Sequence, residues 1–69
     1  MNKLEFTESI EGFEKNHLKL LANDQWITGY ISKCMDTTVK IINIDTNMPR
    51  MIKYENIDDI EILPNVVND

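Results

Sequence analysis

The chain has 69 residues, with twelve Asp or Glu against seven Lys or Arg and a formal net charge of −5. A domain this short buries only about 60% of the surface its unfolded chain exposes, so a core and a deep enclosed catalytic cavity do not both fit. One cysteine, Cys34, cannot form an internal disulfide, and with one histidine, His17, it cannot complete a standard zinc site; no metal and no other cofactor is expected.

The first segment, Asn2 to Asn16, brings Phe6, Ile10 and Phe13 to one helical face and Glu5, Glu8, Glu11 and Glu14 to the other. That pattern predicts an amphipathic helix over about residues 3–15. Asn2 with Glu5 three positions on has the form of a capping box, and Gly12 is the weak point of the run. From His17 onward the period becomes two. Leu18 and Leu20 alternate with Lys19, Asn23-Asp24-Gln25 turns, and Ile27, Gly29 and Ile31 then alternate with Trp26, Thr28, Tyr30 and Ser32. Met35-Asp36-Thr37 makes the next turn, Val39 and Ile41 open a third strand, and Asp45-Thr46-Asn47-Met48-Pro49 breaks it. Arg50 to Tyr54 is a fourth strand. A turn at Glu55-Asn56 leads to a fifth through Ile60, Ile62 and Leu63, stopped by Pro64.

Five short strands after one helix, with no repeat and a 42% hydrophobic fraction, predict one mainly β domain over residues 1–64 and a loosely held tail over 65–69. A flat sheet this small leaves open edges and a bare face, so curvature into a five-stranded, partly open small barrel over about 17–63, capped by the helix, is the expected architecture. Gly29, midway along the longest strand, is the expected bend.

Residues Leu18 to Leu63 resemble an Sm-like, SH3-like barrel. Leu20-Leu21-Ala22-Asn23-Asp24-Gln25-Trp26-Ile27-Thr28-Gly29-Tyr30-Ile31 follows the pattern of apolar strand, Asn-type turn and strand with a bending glycine, and Thr38-Val39-Lys40-Ile41 falls where the third Sm strand belongs. Within that superfamily the chain is most similar to the YolD-like proteins of Gram-positive bacteria, through Gly29-Tyr30-Ile31-Ser32-Lys33 and the ending Ile52-Lys53-Tyr54-Glu55-Asn56-Ile57-Asp58-Asp59-Ile60-Glu61-Ile62. These are mostly core and turn positions, so the likeness speaks to fold more than to function. Ten Ile and eight Asn against one Ala and one Arg suit the AT-rich genome of such a bacterium or its phage.

Sm-like RNA binders stack bases on a side chain in the loop after the second strand and hold phosphate or uridine with cations before the fifth. Those positions here carry Thr37 and Tyr54-Glu55-Asn56. With neither platform nor cation in place and a charge of −5, direct nucleic-acid binding is disfavoured, although Lys33, Lys40, Arg50 and Lys53 are available to form a locally basic face. Sm-like subunits also close into rings by pairing the fourth strand with the fifth of the next copy. That geometry makes a homo-oligomer through strand edges, and an RNA-binding ring, the alternative reading. Asp58, Asp59, Glu61 and Pro64 oppose such edge pairing.

No nucleophile and base share a recognisable motif, and no Gly-rich phosphate cradle is present, so the chain reads as no enzyme. Trp26 and Tyr30, on one strand face with Thr28 between them, form either an aromatic contact patch or the seat of the helix. Met35, Met48 and Met51 exceed what so small a core can hold, and an apolar surface patch follows, with Met35 and Met48 at loop tips. Asp58, Asp59 and Glu61 form a solvated acidic run rather than a metal site. The expected contact residues are therefore Trp26, Tyr30, Met35, Met48, Met51, Tyr54, Asp58, Asp59 and Glu61. The expected function is a non-enzymatic, regulatory protein-interaction module. It would bind and modulate another protein, such as a basic nucleic-acid-processing enzyme met by the acidic surface. With no apolar run near the ~18 residues of a membrane span and no signal-peptide layout at Met1-Asn2-Lys3-Leu4, the expected location is cytoplasmic and no membrane partner is expected.

Overall fold

A computed structural model describes residues 1–64; the tail expected over 65–69 lies outside the described residues. Helix α1 (Lys3–Ser9) precedes strands β1 (Leu18–Ala22), β2 (Gln25–Cys34), β3 (Thr38–Asn43), β4 (Pro49–Lys53) and β5 (Ile57–Ile62), with a single 3₁₀ turn over Tyr54–Asn56 between β4 and β5. The strands form one antiparallel sheet in the order β4-β3-β2-β1-β5. The expected mainly β fold with one N-terminal helix is present. Closure is not: β4 and β5 are the two edges, and among the described residues no ladder joins them.

The helix is shorter than the expected span of about 3–15. Its start is as expected, with the Asn2 side chain accepting from the Glu5 N–H at 2.8 Å and the Glu5 carboxylate accepting from the Asn2 N–H at 3.2 Å. It ends at Ser9 because the chain turns at Ile10 and reaches φ +86° at Gly12, a left-handed conformation open to glycine and closed to a continuing helix. Phe6 and Ile10 reach the core, whereas Phe13, expected beside them, is 49% exposed. Three residues later Asn16 is buried and its side-chain amide donates to the Leu63 carbonyl at 3.1 Å, tying the connection to the end of the sheet.

The hairpin between β1 and β2 turns through Asn23 and Asp24 alone, at φ 52° and 62°. Two consecutive left-handed residues define a type I′ turn, which matches the twist of the flanking strands and suits Asn and Asp. Between β3 and β4 the Asn43 side chain accepts from the N–H groups of Asp45 and Thr46, and Asn47 adopts φ 58°.

Alternation then sorts the strand residues. Leu18, Leu20, Ala22, Ile27, Val39, Ile41, Ile52 and Ile57 turn inward with Phe6, Ile10 and Tyr54 to make a single core. Gly29 is buried within β2 for a reason of proximity: a Cβ there would sit 2.3 Å from the Ile42 carbonyl oxygen. The α-amino group of Met1 donates to the carbonyls of Tyr54 (3.1 Å) and Ile57 (2.7 Å), bracing the start of the chain across the 3₁₀ turn. No helix among the described residues is long and apolar enough to cross a membrane.

Candidate docking face

With α1 and the core on one side of the sheet, no other element of the described residues packs on the other side. The register gives its layout. Leu21 stands opposite Trp26, Lys19 opposite Thr28, Tyr30 opposite Ile42, Ile42 opposite Pro49, and Lys40 opposite Met51. Trp26, Thr28 and Tyr30 follow one another at spacing two on β2, the central strand, and all project away from Ile27 and Gly29. Trp26 is 49% exposed, Tyr30 37% and Met51 52%, while Ile44 and Met48 continue the apolar surface at the β3–β4 turn. The expectation that this aromatic pair either meets the helix or faces outward resolves to the second. Phe6 instead meets Tyr54, with ring centroids 5.3 Å apart, and Tyr30 stacks on exposed His17 at 6.0 Å.

Two expected contact residues lie elsewhere. Tyr54 is 3% exposed, with its hydroxyl donating to the Met35 carbonyl at 2.8 Å; it is a core residue because the 3₁₀ turn points its ring inward. Burial, followed by the nearness of Cys34 and Asp36, pushes its phenol from 10.0 up to about 12. Met35 is half-buried, and its backbone closes the β2–β3 turn by donating to the Thr38 carbonyl at 2.8 Å. Met48, expected at a loop tip, is exposed but sits at the base of the β3–β4 turn, where its carbonyl accepts from the Asn43 N–H at 3.0 Å.

Asp58, Asp59 and Glu61 are all exposed on β5, but they do not form one cluster with the apolar face. Asp59 is opposite Leu21 and Glu61 opposite Lys19, so these two carboxylates border the face along the β5 edge. Lys19 stands on the face between Glu61 and Thr28, and three more lysines lie toward the other end. Lys33 pairs directly with Lys40, and Lys53, opposite Thr38, ends β4 nearby. The sequence offers these lysines for a basic face but does not place them, because their adjacency depends on a bulge between Ile31 and Lys33. Leu4 on α1 and Phe13 in the connection after it are exposed as well.

A depression of about 670 Å³ at the seam between α1 and the sheet is lined by Asn2, Lys3, Glu5, Asp36, Lys53 and Glu55 among others. Its groups mix both signs and include no nucleophile beside a base. Among the described residues no three His, Cys, Asp or Glu side chains converge to hold a metal ion. Comparison with protein-family models, with curated proteins and with solved structures returns no match for this chain.

Proposed function

We propose that this chain is a non-enzymatic interaction module that binds and modulates another protein, with the outer face of its sheet as a protein-docking surface. One observation carries the reading: exposed Trp26 and Tyr30, on either side of Thr28 on the central strand, head an outer sheet face on which no other element of the described residues packs. Trp and Tyr concentrate binding energy in protein interfaces, and large apolar side chains gathered on one face are what such interfaces bury. The net charge of −5 favours encounter with a basic partner such as a nucleic-acid-processing enzyme of a Gram-positive bacterium or phage. In this reading the protein works in the cytoplasm.

The same reading places the fold among Sm-like small barrels, nearest the YolD-like proteins. It is supported by the strand order β4-β3-β2-β1-β5, the one-turn 3₁₀ link between β4 and β5, and the close approach of strands at Gly29.

The test is capture from lysate of the parent bacterium at low and moderate salt, using wild type, Trp26→Ala and Glu8→Lys/Glu11→Lys as baits. A protein retained by wild type and lost with either variant is the expected result. Recovery of the same proteins by all three baits, or of none by wild type, overturns the reading.

A further inference from the structure

We infer that the occupant of the outer sheet face is a second copy of this chain, packed face to face about a two-fold axis. The inference rests on the reading of that face as a protein-docking surface and goes on to name the partner.

The argument is one of self-complementarity. Charge on the face is polar from corner to corner. Asp59 and Glu61 border it on β5 at one edge of the sheet, with Lys19 of β1 beside Glu61 leaving that corner at a net charge of −1, and Lys33, Lys40 and Lys53 lie at the opposite ends of β2, β3 and β4. Between them sits the apolar band of Trp26, Tyr30, Ile42 and Met51. A two-fold axis lying in the plane of the face and perpendicular to this charge direction exchanges the corners. It sets the carboxylates of each copy over the lysines of the other and stacks the apolar bands. An acidic or a basic heterologous partner would satisfy one corner and oppose the other.

Local energetics point the same way. Like charges directly opposite each other on neighbouring strands are destabilising, yet Lys33 and Lys40 are cross-strand partners. A carboxylate from outside the chain removes that penalty, and Asp59 and Glu61 of a two-fold mate supply it. Closed two-fold dimers are also the commonest symmetric assembly, because one patch serves both copies.

Five strands about 4.8 Å apart give a face about 20 Å across, at the lower end of stable interfaces, so a concentration-dependent dimer is expected. The pairing leaves α1 outside on each copy, free to meet a basic partner.

Sedimentation velocity from low micromolar to near-millimolar protein, at low and high salt, tests the proposal. Wild type is expected to pass from monomer to dimer, less readily at high salt. Trp26→Ala and Tyr30→Ala are expected to weaken the dimer at least tenfold with unchanged circular dichroism. Lys33→Glu/Lys40→Glu and Asp59→Lys/Glu61→Lys are each expected to be monomeric alone, to form a heterodimer when mixed, and to regain self-association when combined in one chain.

Wild type that stays monomeric throughout overturns the second copy as occupant, as does a combined variant that fails to associate while remaining folded. If wild type is monomeric and Trp26→Ala still loses a protein captured from lysate, the docking surface stands and only the second copy falls. If Trp26→Ala changes neither association nor capture, both readings fall.

Discussion

Gly12 and Gly29 resist substitution for unrelated reasons, and alanine at each position separates them. At Gly12 there is open space for a methyl group, but φ +86° is left-handed, so Gly12→Ala is expected to lower stability by about 1–2 kcal/mol through backbone strain alone. At Gly29 the backbone is ordinary and the space is missing, with the Ile42 carbonyl 2.3 Å from a would-be Cβ. Gly29→Ala must push β2 and β3 apart and is expected to cost about 3 kcal/mol or more, read by urea denaturation. Tyr54 gives a pH prediction. Its phenol rises from 10.0 to about 12 in the fold, so the neutral form is the one stabilised. The contribution is fully present below pH 10.0 and is lost as pH rises through about 12. Tyr54→Phe is expected to lower stability at neutral pH by about 1–2 kcal/mol, by orphaning the Met35 carbonyl, and to flatten the alkaline decline in urea midpoints.

Single elements respond to their ends. The capping box at Asn2 satisfies two of the free N–H donors at the start of α1, and Asn2→Ala is expected to cost about 1 kcal/mol in thermal or urea unfolding. Because the helix stops at Ser9, its two aromatic neighbours separate in weight. Phe6→Ala is expected to cost about 3–5 kcal/mol, whereas Phe13→Ala is expected to stay within about 0.5 kcal/mol. The β1–β2 hairpin offers a gain. Asp24 holds φ 62° in a type I′ turn, where glycine is less strained, so Asp24→Gly is expected to raise stability by about 0.5 kcal/mol. At this scale the turns and strand limits were legible in the sequence, since alternation and Asn/Asp/Gly/Pro chemistry are local. The length of α1 was not. Helical spacing of Phe6, Ile10 and Phe13 continues through Gly12, whereas the chain leaves the helix at Ile10 and takes φ +86° at Gly12, a backbone choice that side-chain spacing does not record.

For the molecule as a whole, the decisive asymmetry is that one helix covers one side of a five-stranded sheet. The other side exposes its apolar residues to water at a free-energy disadvantage of about 25 cal/mol per Å², which association would remove. Inward positions of the strands were readable beforehand, because a period of two puts Leu18, Leu20, Ile27, Val39 and Ile41 on a common face whatever the strands later pair with. The outward face had no such signature. Whether Trp26 and Tyr30 meet the helix depends on where α1 docks. The pairing of Lys33 with Lys40 depends on a bulge, and the inward turn of Tyr54 depends on the 3₁₀ link. Periodicity and turn chemistry act between near neighbours and are therefore written directly in residue order. Register, docking and burial arise between segments far apart in the chain, and folding alone decides them.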